Sequence, residues 1–404
     1  MRAEDLRRAP NPLAPHYARF GVAERLLLTG HSHQAWPDVA LEGQVEAFAD
    51  AARLVDEKWE RAFAKAEEVR AGFRALLGDP GGEIALGAST FELVTRFLSA
   101  LDLRARPRLV TTGGEFHTLR RLLARLGEER LEVVRLAPEP ADTLAERLAA
   151  AVDERTAAVL VSAVLFETAR VVPGLGALAR ACAARGAELL VDAYHALGPV
   201  PVDVHADGLA GAWVVGGGYK YLQLGEGNCF LRLPPQAEAL RPALTGWFAE
   251  FAALAAEPDP SRVAYGAGAA RFAGSTYDPA SHYRAARVLR FFADQGLAPP
   301  VLHASYRHQV ALLAERFDAL DAPGALITRD RVTPPERRGG FLALVSPHAE
   351  ALRRALAERG VLADSRGRHL RLGPAPYLSD AQLEAAVAAL GDALRRYDAL
   401  SRRP

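Results

Sequence analysis

Lysine is scarce in this 404-residue chain: three lysines stand against forty-six arginines. Cysteine is scarcer still, and its two residues, Cys182 and Cys229, make neither a disulfide framework nor a metal-ligand spacing, so a reduced, cytoplasmic setting is expected. Net charge is absent. Acids and bases balance to a formal zero and are interleaved along the chain, which leaves nucleic-acid binding without compositional support. No stretch is long and apolar enough to span a bilayer, and MRAEDLRRAPNPLAPHYARF carries acids and prolines but no apolar signal core, so no membrane partner is expected. No cysteine or acidic cluster completes His31-x-His33, or His195 with His205, as a ligand set, and no metal is expected. The run GGGYKYLQLGEG lacks the Gly-Lys-Ser/Thr ending of a phosphate loop, which argues against that class of NTPase.

The scarcity of lysine makes Lys220, in the apolar, glycine-rich GGGYKYLQLGEGNCF, the residue to explain. Arginine supplies charge almost anywhere but cannot act as a free amine, whereas a desolvated lysine can, so a lysine retained here points to amine chemistry such as a Schiff base. Lys58 and Lys65 lie in the charged run VDEKWERAFAKAEEVR and read as solvated helix positions.

Short apolar runs rich in Val and Leu fall at 109–112, 131–136, 157–164, 188–192, 212–217 and 228–233, with amphipathic stretches such as TLRRLLARLGEE between many of them. That alternation predicts an α/β fold in which a mostly parallel sheet is covered by helices on both faces and gathers ligands at the carboxyl ends of its strands. Residues 38–77 read as helices leading into it. From about 285, HYRAARVLRFFADQG, the short strand pattern GGFLALVS, LRLGPAPYLSD and a last helix read as a separate α+β unit. The expected division is an N-terminal segment at 1–35 that packs with the last unit, a large domain at 36–284 and a small C-terminal α+β domain at 285–404.

In ELLVDAYHALGPVPVDV, Asp192 ends a predicted buried strand, where a carboxylate needs a partner, and His195 follows three residues later. An aspartate there is also common as a cap or turn residue. The order strand, Asp-x-x-His, strand, then a Gly-rich turn carrying Tyr219-Lys220 is far less probable as coincidence than either half alone. These segments resemble the Asp-x-x-His and Tyr-Lys-Tyr-Leu motifs of kynureninases, within the class V aminotransferase branch of the fold-type I pyridoxal phosphate enzymes, and the resemblance runs from roughly 20 to 390.

The resemblance implies the fold-type I architecture, a large three-layer α/β/α domain with a smaller α+β domain, and pyridoxal 5'-phosphate as cofactor. It implies that Lys220 carries the cofactor as a Schiff base, that Asp192 pairs with the pyridine nitrogen, that His195 lies beside the ring and that Tyr219 donates to the phosphate. LTGWF resembles the family's Gly-Trp motif, which makes Trp247 a second phosphate donor, although a core tryptophan fits as well. In LGASTFELVTRFL the resemblance favours Ser89 and Thr90 as phosphate ligands at a helix start. The plain alternative is a cap at Thr90, with no glutamate three residues on to complete a capping box. GGEFHTLRR makes Phe116 the ring-stacking candidate. FAGSTYDP resembles a segment that crosses a dimer interface toward the partner's phosphate, so Ser275 and Thr276 are candidates and a homodimer is implied. LRLGPAPYLS resembles the motif whose arginine clamps the substrate α-carboxylate, here Arg371, a task suited to a guanidinium that makes two parallel hydrogen bonds.

Two segments depart from the family. Phe116-His117-Thr118-Leu119 stands where kynureninases commonly show Phe-Pro-Thr-Asp, and GHSHQ where they show Gly-Asn-Ser-Leu-Gly. Both border the substrate side in the family, so His33 and His117 are candidates for substrate side-chain contact. The function implied is hydrolytic Cβ–Cγ cleavage of an amino acid, kynurenine giving anthranilate and alanine. The rivals are a class V aminotransferase or another lyase on the same scaffold, and a non-enzymatic cofactor-binding regulator, against which there is no appended helix-turn-helix segment. A cysteine desulfurase is disfavoured because Cys182 falls in a helical and Cys229 in a strand pattern.

Overall fold

A computed structural model describes residues 1–254 and 261–401. The chain opens with a two-residue strand β1 (Leu26–Leu27) and two long helices, α1 (Val39–Leu54) and α2 (Lys58–Leu76). Strands and helices then alternate: β2 (Glu83–Gly87), α3 (Thr90–Ser99), β3 (Arg108–Thr112), α4 (His117–Gly127), β4 (Glu132–Leu136), α5 (Leu144–Ala150), β5 (Thr156–Ser162), α6 (Leu175–Ala184), β6 (Glu188–Asp192), β7 (Trp213–Gly217) and β8 (Cys229–Leu233). After α7 (Ala280–Asp294) and α8 (Pro299–Ala319) come β9 (Thr328–Arg329), β10 (Leu342–Val345), α9 (Ala349–Ala357), β11 (Val361–Leu362), β12 (Asp364–Arg366), β13 (His369–Leu372) and α10 (Asp380–Ser401).

Strands β2 to β8 form one seven-stranded sheet in the order β2-β8-β7-β6-β5-β3-β4. Pairings from β4 through β7 are parallel, and β8 runs antiparallel to both of its neighbours. The interior strand β5, TAAVLVS, is buried at every position, which a parallel strand covered by helices on both faces requires. Helix α3 turns Leu93, Val94, Phe97 and Leu98 to the core and α4 turns Leu119 and Leu123, the spacing of one helical face. The six strands expected from the sequence all form. Strand β2 was not foreseen, because Ile84-Ala85-Leu86 is a short apolar run between glycines and its pairing with β8 is long-range.

A second, antiparallel sheet of order β12-β13-β10-β9 is packed by α8 and α9, with α10 lying against those two helices and β1. The junction expected at 284–285 falls inside α7, which packs on α1 and α2. Strand β1 pairs in parallel with β11, and Gly30 N–H donates to Gly373 O at 2.8 Å, so the N-terminal segment lies against the last strands of the chain. Gly373 has to be glycine for a local reason: a Cβ there would collide with the ring and backbone of His31.

Candidate active site

The carboxyl ends of β3, β5, β6 and β7 converge on one cavity of about 260 Å³. Lys220 reaches it from a loop that closes on itself: Gln223 N–H donates to Lys220 O at 3.1 Å and Leu224 N–H to Gly218 O at 2.9 Å. Gln223 takes the left-handed φ of 60°, and its side chain accepts the Tyr17 hydroxyl at 2.5 Å, a tie that holds the unfavourable backbone in place. Gly217, just before the loop, leaves room for Tyr194, whose ring carbon would lie 2.6 Å from a Cβ at that position.

The Lys220 amine is buried and lies 2.7 Å from His195 Nε2. It sits over the rings of Tyr194 at 4.8 Å, Phe116 at 5.2 Å and Tyr219 at 5.7 Å. Burial pulls its pKa from 10.5 down to about 7, against the opposing pull of Asp192. Asp192 ends β6 and lies half-buried at the cavity. Its Oδ1 accepts Tyr194 N–H at 2.8 Å, and among the described residues no hydrogen bond reaches Oδ2. Both readings of this aspartate are therefore present, a turn-forming oxygen and a second oxygen left to the cavity. Burial raises the Asp192 pKa and lowers that of His195 well below the usual imidazole range, so His195 is neutral. Its Nδ1 is buried without a partner among the described residues.

Ser89 and Thr90 line the same cavity at the start of α3. The cap is one residue earlier than the sequence suggested. Ser89 Oγ accepts Glu92 N–H at 3.2 Å, and Glu92 Oε2 accepts the N–H of Ala88, one residue before the cap, at 2.8 Å, a variant of the capping box that the Thr90 register hides. Phe116 caps α4 and meets Phe166 edge-on at 5.4 Å. His117 and His33 are both exposed at the rim, His117 against Phe166 at 5.3 Å and His33 stacked on Tyr219 at 5.1 Å.

Three candidates are not gathered around Lys220. Trp247 Nε1 donates to Thr276 Oγ1 at 3.1 Å, and both are exposed, as is Ser275. Ser275 and Thr276 line a neighbouring cavity of about 950 Å³ that shares Ala88, Phe91, Glu226 and Gly227 with the first. One polypeptide folded alone leaves this segment facing outward. Arg371 is buried near the site, but its guanidinium is engaged: Nη1 donates to Phe166 O at 2.6 Å and Nη2 pairs with Asp364. Its Nε is buried without a partner among the described residues.

Sequence reasoning passed over several residues. His31, not His33, is the buried histidine of GHSHQ; it stacks on Phe341 at 4.6 Å with Nε2 3.7 Å from Asp364 Oδ2, and burial lowers its pKa to about 4. Glu115 is a buried carboxyl bonded to Thr112 and Ser162. Cys229 lines the Lys220 cavity, with Sγ 3.8 Å from Tyr194 Oη. Burial pushes both thiols, Cys182 and Cys229, up to about 12, and such thiols do not supply a thiolate near neutrality.

Residues 310–390 match the family model described as the kynureninase C-terminal domain. The chain is 29% identical to a kynureninase of Pseudomonas fluorescens over 96% of its own length and 94% of the relative's. It is also 29% identical to one of Burkholderia pseudomallei, over 91% and 88%. Among solved structures, a C-DES mutant with glycine covalently linked to its pyridoxal phosphate superposes with a TM-score of 0.80 at 15% identity, covering 95% of this chain and all of that one. The cysteine desulfurase CsdA from Escherichia coli superposes at 0.76 and 17%, covering 98% and 99%.

The residues at the cavity suit pyridoxal phosphate. A buried amine near neutrality, a carboxylate oxygen open to the same space, an aromatic face at Phe116 and hydroxyls at a helix start are the donors and surfaces that cofactor needs. The chain thus has the fold-type I architecture of pyridoxal phosphate enzymes and is kynureninase-like along nearly its whole length.

Proposed function

We propose that this chain is a pyridoxal phosphate enzyme of the kynureninase type, cleaving the Cβ–Cγ bond of an amino acid that carries a γ-carbonyl. Water and kynurenine give anthranilate and alanine. The observation that carries this reading is the buried Lys220 amine on His195, one strand from Asp192, in a chain similar from end to end to bacterial kynureninases. When bound, the cofactor supplies an electron sink for a carbanion next to the substrate nitrogen.

The chain's own residues would then act as follows. Lys220, with a pKa of about 7, is poised to take the α-proton as a free base and to return it as an acid. Neutral His195, 2.7 Å away, orients the amine without competing for charge. Asp192 would keep the proton on the ring nitrogen, Phe116 would cover the ring face, and Ser89, Thr90 and Tyr219 would hold the phosphate. Arg371 would take the α-carboxylate through its unpaired Nε and the edge it shares with Asp364. His33 and His117, at the rim, would touch the side chain. Trp247, Ser275 and Thr276 would serve the partner's phosphate across a homodimer interface, which their outward position supports. Two buried free thiols fit a cytoplasmic enzyme.

Kynurenine and 3-hydroxykynurenine, given to the reconstituted protein, should yield alanine and the matching anthranilate, with Lys220→Ala inactive. Amino transfer to a keto acid without anthranilate would make the protein an aminotransferase and reject this reading.

A further inference from the structure

Glu115 is a buried acidic side chain beside the Lys220 site to which the proposed chemistry gives no task. It is 1% exposed, and its carboxyl is held on three sides. Oε1 accepts Thr112 Oγ1 at 2.7 Å and Ser162 N–H at 3.2 Å, and Oε2 accepts Ser162 Oγ at 2.6 Å. Thr112 is the last residue of β3 and Ser162 the last of β5, where it stands opposite Asp192 in the parallel register. The short loop between β3 and α4 is therefore strapped back onto two strand ends, with Gly114 N–H adding a bond to Thr112 Oγ1 at 3.0 Å. Phe116, the next residue along, is thereby fixed with its ring 5.2 Å from the Lys220 amine.

Among the described residues no cation pairs with Glu115. The charged group that faces it from β6 is Asp192, with Lys220 beyond on the loop after β7; β3 and β5 present only hydroxyls, and His117 on its own segment is exposed. A buried carboxyl beside a half-buried one at the same sheet end does not ionise cheaply while the other is charged. Burial and Asp192 hold the Glu115 proton up to about 7.

We propose that Glu115 is a positioning residue of the cofactor ring site: its carboxyl ties the Phe116 loop to the ends of β3 and β5, and in its uncharged form it leaves Asp192 as the negative charge beside Lys220. This rests on the function proposed above.

Glu115→Gln keeps the shape and removes the titration, and Glu115→Ala removes the strap. In cofactor-free protein, urea unfolding is followed from pH 4.5 to 8 for wild type and Glu115→Gln. A carboxyl whose folded pKa is raised favours the folded chain at low pH, so wild type should lose stability relative to the glutamine variant by up to about tenfold in folding constant per pH unit, up to about pH 7 and no further. In protein loaded with pyridoxal phosphate, Glu115→Ala should weaken cofactor retention by about tenfold or more, the loss of several buried hydrogen bonds, whereas Glu115→Gln should change it by less than about threefold. The glutamine variant should instead move the pH midpoint of the bound cofactor's absorption to lower pH, a shift that a merely structural residue would not cause. Parallel stability profiles, or unchanged retention in a folded Glu115→Ala protein, would overturn the assignment of Glu115 alone. A wild-type chain that takes up no pyridoxal phosphate would overturn the proposed function, and with it the ring-site role.

Discussion

At Lys220 the burial that suits amine chemistry also has a cost that can be measured without any ligand. The unfolded chain holds the lysine proton up to its ordinary 10.5, while the folded chain releases it above about 7. Between those values the unfolded state binds more protons, so the stability contributed here is lowest below pH 7 and grows as pH rises toward 10.5. Cofactor-free wild type should therefore gain stability over that range by up to about tenfold in folding constant per pH unit, and Lys220→Met should not. Urea unfolding at several pH values checks this, and equal slopes would mean that the amine is solvated. Arg371→Ala should raise KM for every amino-acid substrate by a factor of about ten to a hundred, the value of a charge-assisted pair, while His33→Leu should change only the ranking of side chains. Rarity and motif singled out Lys220, Asp192 and His195 in the sequence, and the fold brings these three to one cavity. Glu115 and His31 were not legible, because nothing in a linear sequence says that a glutamate after two glycines folds back on Ser162, or which histidine of GHSHQ turns inward.

The helix starts and strand ends that carry the site depend on local chemistry that is only partly visible in one dimension. The six apolar strands could be read because Val and Leu runs buried on both faces leave a plain signal, whereas β2 is recognised only through its partner β8. The cap weighed at Thr90 as an alternative stands one residue earlier, at Ser89, since both residues are competent caps and the position of Glu92 decides between them. Ser89→Ala should cost about 1 kcal/mol of stability in the cofactor-free protein by urea unfolding. It should also weaken pyridoxal phosphate retention, if the same hydroxyl serves the phosphate. A loss of stability with unchanged retention would confine Ser89 to the cap.

Among the described residues, three of the four large exposed aromatics, Phe48 on α1 being the other, stand where a second chain is proposed. Phe91 and Phe251 line the larger cavity while remaining about half exposed, and Trp247 stands beside them. Exposed apolar side chains grouped together on an isolated chain mark contact surfaces. Sedimentation at decreasing concentration should show a dimer that loses cofactor as it dissociates, and Thr276→Ala should release pyridoxal phosphate about tenfold more readily, one charge-assisted hydrogen bond. A fully active monomer at high dilution would reject the interface. The pairing of β1 with β11 acts on a different axis, that of time. Synthesis delivers Leu26, Leu27 and His31 well before Val361, Leu362 and Gly373, so β1 has no partner until β11 has been made. A polypeptide cut before Val361 keeps every strand of the seven-stranded sheet but has no partner for β1 and no Gly373 against His31.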